Sequence, residues 1–151
     1  MTYIFLSLSY LILMIIILKM PKRLSLQEFY ITFLVVSFHT LLADILFADI
    51  MDLYDLMRIN GPQYSDIVIQ TTIPALFGFI YLNFMPKDRF IGYYIFWIVF
   101  SIIYEQISRY FGYIDYKGWK IWYSVLFYMY ACAFMRLHHK FIRKTIYKGK
   151  K

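Results

Sequence analysis

Among the charged residues within the long apolar stretches of this sequence, three could do chemistry, namely Asp44, Glu105 and Arg109. A charged group at the centre of a bilayer costs roughly 3 kcal/mol or more, so such residues are candidates for function. Asp44 and Glu105 have the chemistry of an acid–base pair or of metal ligands, and Arg109 can hold an anion. The alternative is structural: Glu105 pairs with Arg109 one helical turn away, and Asp44 lies at a polar helix interface.

The composition predicts that these residues belong to a membrane protein. Of 151 residues, 62% are hydrophobic and 17% are charged, against about 25% charged residues in soluble domains. Several apolar stretches are long enough to cross a bilayer, where the backbone must be helical to satisfy its own hydrogen bonds. We predict an all-α transmembrane bundle, residues 1–137, followed by a basic tail, residues 138–151. Its helices are predicted at residues 2–18, 27–47, 67–84, 90–111 and 118–137.

The basic residues predict the orientation of this bundle. The net charge is +7, but most Lys and Arg form short clusters just beyond the apolar stretches, which argues against nucleic acid as a partner. With the N-terminus outside, twelve Lys and Arg lie in the cytoplasm and four lie outside. We therefore predict a multi-pass plasma-membrane protein with a cytoplasmic C-terminus. Anionic lipids of the inner leaflet attract each basic residue by about 1 kcal/mol, so we expect the tail to lie on that surface.

Polar residues from all five predicted helices fall at a similar depth. At a rise of about 1.5 Å per residue, Asp44 and Glu105 both lie roughly 22 Å above the inner boundary. Polar groups at one depth can satisfy one another in the bundle interior instead of facing lipid. The predicted layer comprises Ser7, Ser9, Asp44, Thr71, Thr72, Glu105 and Ser124.

Small and polar residues also form a stripe along one face of the second, third and fourth helices. Small residues let helices approach closely in membranes, and hydroxyl groups bond across the interface. We therefore expect the three stripes to face one another. They are Ser37 with Thr40, Asp44 and Ala48; Thr71 with Ala75 and Gly78; and Ser101 with Glu105, Ser108 and Gly112.

The acidic residues that follow the second helix raise the possibility of a cation site. Hard cations need oxygen ligands that converge from several directions. Asp49, Asp52 and Asp55 are spaced by three, so on a helix their directions diverge by about 60° per step. We predict a solvated acidic face and no bound metal, with a turn at 60–62. The sequence holds no phosphate-binding loop and no dinucleotide glycine pattern, so we predict no cofactor.

A set of residues around the last two helices resembles the signature of a family of small multispanning membrane proteins. This family is found in Bacillus, Clostridium and other spore-forming Bacillota. The resemblance extends to the region around Asp44 and to Pro74, so it covers most of the chain. It implies a plasma-membrane protein and a shared role for the signature residues, without naming a reaction. The signature residues are Glu105, Gly118, Trp119, Trp122, Ser124, Arg136 and His138.

These observations favour a non-enzymatic membrane component, such as a subunit, sensor or scaffold. The expected partners are the lipid bilayer and either another membrane protein or further copies of this chain. Two alternatives remain. The first is an enzyme that acts on lipid or lipid-linked head groups at the outer surface, through Asp44, Glu105 and Arg109. The second is a small ion or solute pathway that uses Glu105 and is enclosed by an oligomer.

Overall fold

The structure is a computed structural model that describes residues 1–57, 64–86 and 88–148. The predicted turn at 60–62 lies outside the described residues, as do Arg58, Lys87, Lys150 and Lys151 of the charge count. The described residues form five helices, which confirms the predicted all-α architecture. They are α1 (Thr2–Lys19), α2 (Leu26–Asp44), α3 (Tyr64–Phe84), α4 (Phe90–Tyr110) and α5 (Ile121–Lys148).

Four helices in the described part of the chain are long and apolar enough to cross a membrane. They are α1, α3, α4, and α2 extended by a π-helical segment, Ile45–Ile50. Helix α5 does not meet the same criterion, so its membrane crossing stays a prediction. It also continues beyond residue 137 as far as Lys148, the last described residue. The basic segment remains helical, and its Ile142 side chain is buried with only 4% exposed.

The burial pattern of α2 is the reverse of that of a helix in a water-soluble protein. Its fully buried residues are Glu28 and Thr32, both polar, whereas Leu34, Phe38 and Leu42 are at least half exposed. In water, large apolar side chains favour the interior and a carboxylate favours the surface. In lipid the preference is inverted, because apolar side chains are solvated by acyl chains and polar groups need protein partners. The packing of α2 therefore suits a membrane.

Two short strands join the connection after α2 to the connection after α4. They are β1 (Tyr54–Leu56) and β2 (Ile114–Tyr116), which pair antiparallel with Tyr54 opposite Tyr116. We call the end of the bundle that carries them the strand end and the opposite end the tail end. Helices α2 and α4 run toward the strand end, and α3 and α5 run away from it.

Of the acidic residues Asp49, Asp52 and Asp55, only Asp49 lies on a helix, contrary to the expectation that all three share one. Asp52 has a left-handed backbone with φ of 50°, which ends the helical segment, and Asp55 lies in β1. Both carboxylates converge on the Lys117 ammonium, at 2.6 Å and 3.0 Å. The hydrogen bonds that Lys117 donates to Asp52 and Asp55 raise its pKa. This exposed ion-pair group closes the strand end of the molecule.

Two of the three predicted stripes face each other. The Ser37 hydroxyl donates to the Thr71 carbonyl oxygen at 2.8 Å, and the Thr40 hydroxyl donates to the Gln70 carbonyl oxygen at 2.9 Å. The stripe of α4 was expected at the same interface but faces α5, where Glu105 meets Ser124. The spacing within a helix identifies its polar face but does not say which neighbouring helix covers that face.

Gly78 allows the close approach of α2, α3 and α5. A carbon added at its Cα would lie 3.0 Å from Met135 Cε and 3.3 Å from Val36 Cγ2, whereas one at Gly92 would meet nothing within 4 Å. We expect Gly78→Leu to lower the free energy of unfolding by about 1–3 kcal/mol through overpacking. Gly92→Leu is the matched control and should leave stability unchanged or raise it by up to about 1 kcal/mol. Denaturation of both variants by SDS in mixed micelles measures this, and equal losses would contradict close packing at Gly78.

Candidate functional site

Glu105 lies at the strand end of α4 and is enclosed by hydrogen-bond donors. Its side chain is almost fully buried. One oxygen, Oε1, accepts from the Ser124 hydroxyl at 2.6 Å and from the Tyr116 hydroxyl. The Trp119 indole N–H in turn donates to Ser124 Oγ at 2.7 Å, and the Tyr128 hydroxyl is a further partner of Glu105. The carboxylate is thus held by α5, by β2 and by the turn that joins them.

Asp44 is held by the opposite strand. The Tyr54 hydroxyl donates to Asp44 Oδ1 at 2.5 Å. Tyr54 and Tyr116 are cross-strand partners, so each carboxylate is bonded to one member of the same tyrosine pair. Burial, followed by the nearby Asp44, raises the pKa of Tyr54 well above its ordinary value, so this hydroxyl remains a donor at neutral pH. We call Asp44, Tyr54, Glu105, Tyr116 and Ser124 the tyrosine–carboxylate cluster.

Arg109 supports this cluster without pairing with Glu105. Its Nη1 donates to Gln106 Oε1 at 2.7 Å, and its guanidinium carbon lies 3.7 Å from the centre of the Tyr116 ring. Among the described residues, the ion pairs within 4.0 Å do not include Glu105 and Arg109. The guanidinium therefore covers the tyrosine that donates to Glu105. The pairing considered as the structural alternative is replaced by a cation–π contact.

Of the other members of the predicted polar layer, Ser9 and Thr72 form contacts between α1 and its neighbours. The Tyr10 hydroxyl and the Thr72 hydroxyl are hydrogen-bonded, and Ser9 bonds to Tyr104 of α4. Thr71 bonds back to the Ile67 carbonyl of its own helix. Ser7 is exposed and lines a cavity of about 400 Å³ between α1 and α3. The layer is thus divided between two groups of helices.

The residues that carry the family resemblance separate in a similar way. Glu105, Trp119 and Ser124 are in direct contact, and the Gly118 N–H donates to the Leu53 carbonyl oxygen at 2.9 Å beside them. Trp122 is half exposed and packs on Tyr123 with ring centres 3.9 Å apart. Arg136 and His138 lie farther along α5. The guanidinium carbon of Arg136 lies 3.6 Å from the centre of the Phe90 ring. The His138 ring stacks on Phe134, with ring centres 5.9 Å apart.

A second polar group, which sequence reasoning did not select, lies at the tail end. Glu28 is fully buried and accepts from Arg143 Nε at 2.8 Å. Its second oxygen accepts from the Ser25 N–H at 2.7 Å in a capping box, and His139 Nε2 lies 3.7 Å from its first oxygen. The Ser25-to-Glu28 spacing is a visible signal for the capping box. The distant partner on α5 has no local signal.

In chemical terms, the tyrosine–carboxylate cluster fastens the paired strands to the helix ends. The described residues contain no group of three or more His, Cys, Asp or Glu side chains arranged to hold a metal ion. Asp44 and Glu105 also lie outside the lining of the cavity between α1 and α3. No protein-family model matches the chain, and no curated protein or solved structure matches it. The family resemblance described above therefore stays a prediction.

Proposed function

We propose that this chain is a non-enzymatic component of the plasma membrane, a subunit, sensor or scaffold that acts through contacts between helices. The observation that carries the proposal is the enclosure of its two strand-end carboxylates. Asp44 accepts from Tyr54, and Glu105 accepts from Ser124 and Tyr116. The donors come from the chain itself, so both carboxylates hold the strands and helix ends together. We call this arrangement the clasp.

The outward-facing side of α2 supports contact with another membrane segment. Leu34, Phe38 and Leu42 are spaced by four and exposed by 50%, 63% and 52%. Residues four apart share one helix face, so these three form a continuous apolar ridge, which we call the α2 ridge. Such a ridge packs equally well against lipid or against a helix of a partner, and van der Waals contact is what drives helix association in lipid.

The proposed topology follows the charge distribution. We propose that the strand end faces outward and that the tail end, with the C-terminus, lies in the cytoplasm, as the excess of Lys and Arg at the tail end favours. Exposed Lys140 and Lys144 on α5 would then meet the head groups of anionic inner-leaflet lipids. This contact would anchor the final turns of α5 at the membrane surface.

Crosslinking in intact membranes tests the proposed contact. Single cysteines at Leu34, Phe38 or Leu42, in a Cys132→Ser background, should crosslink to a second copy or to one defined partner. Matched cysteines at Ile91, Ile95 and Ile103 of α4, which are also exposed, provide the control face. We expect the crosslinked product to form from the α2 ridge and to be recovered stoichiometrically after gentle solubilisation.

Recovery of monomer alone, from both faces, would contradict the proposal. Lipid profiling of a strain that lacks the chain separates it from the enzyme alternative. A changed composition of lipids or lipid-linked head groups would favour an enzyme at the outer surface, whereas an unchanged composition together with the α2 crosslink would support a non-enzymatic component.

A further inference from the structure

The tail end contains a carboxylate with two basic neighbours and little access to water. Glu28 is fully buried, and the Arg143 guanidinium neutralises it from 2.8 Å. His139 is only 6% exposed, and its Nε2 lies 3.7 Å from the same oxygen, beyond hydrogen-bonding distance. The negative charge of Glu28 thus already has Arg143 as its counterion, and the His139 imidazole lies next to this ion pair.

Unsatisfied polar atoms are concentrated along the same part of α2 and α5. Among the described residues, the buried side-chain atoms without a hydrogen-bond partner include Thr32 Oγ1, His138 Nε2 and His139 Nε2. Thr32 lies one turn after Glu28 on the same face of α2. A buried polar atom without a partner has lost its hydrogen bonds to water without replacing them, so this contact is held less firmly than a fully bonded one.

We propose that the contact between Glu28 and the final turns of α5, residues 138–148, is an acid-sensitive latch. Protonation of His139 places a second cation next to Arg143 in a site that holds a single carboxylate. The excess charge is buried and poorly solvated, so it favours release of these turns from α2.

The charged and titratable groups around His139 support this direction. Glu28 faces it from α2, whereas Arg143 and His138 lie next to it on α5. The segment before α2 contributes the Arg23 carbonyl oxygen, which accepts from Arg143 Nη2 at 3.3 Å. Burial, followed by the charge of Arg143, lowers the pKa of His139 below its ordinary value of 6.5, and the opposing effect of Glu28 is smaller.

The sign of the pH dependence follows from this lowered pKa. The proton binds more tightly in the released state than in the docked state, so docking is fully stable above pH 6.5 and weakens as the pH falls below it. For one proton, the released-to-docked ratio rises by up to about tenfold per pH unit. His139 therefore determines the pH range of the latch.

Distance measurements between two spin labels test the proposal on the full chain in lipid nanodiscs. The labels are attached at Gln27 and Lys140, both exposed, in a Cys132→Ser background. We expect one short distance near pH 8 and a second, longer population near pH 5. His139→Gln should keep the short distance at both pH values, whereas the control His39→Gln should retain the acid response.

A second variant separates the latch from a merely structural role of His139. In Arg143→Met, protonated His139 becomes the main counterion of Glu28, so acid should increase the docked population instead of decreasing it. Identical distance distributions of the unsubstituted chain near pH 8 and near pH 5 would overturn the proposal. So would an acid response that persists in His139→Gln or keeps its sign in Arg143→Met.

Discussion

Replacement of Arg143 by methionine should lower the free energy of unfolding at neutral pH by about 3 kcal/mol. The substitution keeps a long side chain but removes the counterion of Glu28, which is 0% exposed. The carboxylate would then keep the Ser25 N–H and the His139 imidazole as neighbours. We take the lower end of the range for a broken buried pair because the Arg143 side chain is 44% exposed and solvent screens it.

This loss should depend on which partner is removed. Glu28→Gln should cost only about 1 kcal/mol, since Gln retains an acceptor and Arg143 can turn to water. When Glu28→Gln and Arg143→Met are combined, the loss of stability should not exceed that of Arg143→Met alone, because no buried charge remains unpaired. Lys140→Met, which removes an exposed cation of the same helix, is the matched control and should have little effect. SDS denaturation followed by circular dichroism provides the measurement, and equal losses in Arg143→Met and Lys140→Met would contradict the buried pair.

The helices were predictable because their signal is local. A span needs a sufficient run of apolar residues, and each of the runs ending near Lys19, Phe84 and Tyr110 meets that need without knowledge of any neighbour. The depth count was also informative, since it placed Glu105 and Ser124 at the same level, where the structure joins them. The rise per residue determines how deep each residue lies along its helix, and Glu105 and Ser124 can bond only because they lie at the same depth.

The neighbours of each helix were not predictable in this way. The stripe of α4 was assigned to α2 and α3, but Glu105 faces α5, because periodicity gives a direction on one helix and no order of helices. Tyr54 and Tyr116 were missed since they lie in connections, and their pairing depends on residues distant in the sequence. Arg143 was assigned to a basic tail that lies on the inner membrane surface, because the sequence shows its charge but not the buried partner, Glu28.

Replacement of Glu105 by alanine should also lower the free energy of unfolding by about 3 kcal/mol. The substitution removes the acceptor of the Ser124 and Tyr116 hydroxyls and leaves both donors in a nearly dry site. Each unsatisfied buried group costs about 1–3 kcal/mol, and groups that share one partner do not add fully. Glu105→Gln keeps one acceptor oxygen in the same position, so its loss should be about 1 kcal/mol.

Arg109 provides the comparison that separates the two structural accounts of Glu105. The guanidinium lies over the Tyr116 ring and bonds to Gln106, so Arg109→Gln removes a cation–π contact worth about 0.5–1 kcal/mol. An ion pair between Glu105 and Arg109 would predict equal losses for Glu105→Ala and Arg109→Gln. SDS denaturation of the three variants, followed by circular dichroism, gives the order of losses directly.

The fluorescence of Trp119 adds a local measure of the same cluster, because its indole N–H donates to Ser124. With Trp97 and Trp122 replaced by phenylalanine, Trp119 reports the cluster alone. Loss of Glu105 frees the Ser124 hydroxyl, so the Trp119 emission should shift in Glu105→Ala before global unfolding and stay nearly unchanged in Arg109→Gln. An emission shift of equal size in both variants would mean that Arg109 holds Glu105 in place, and the clasp would then depend on charge rather than on tyrosine and serine hydroxyls.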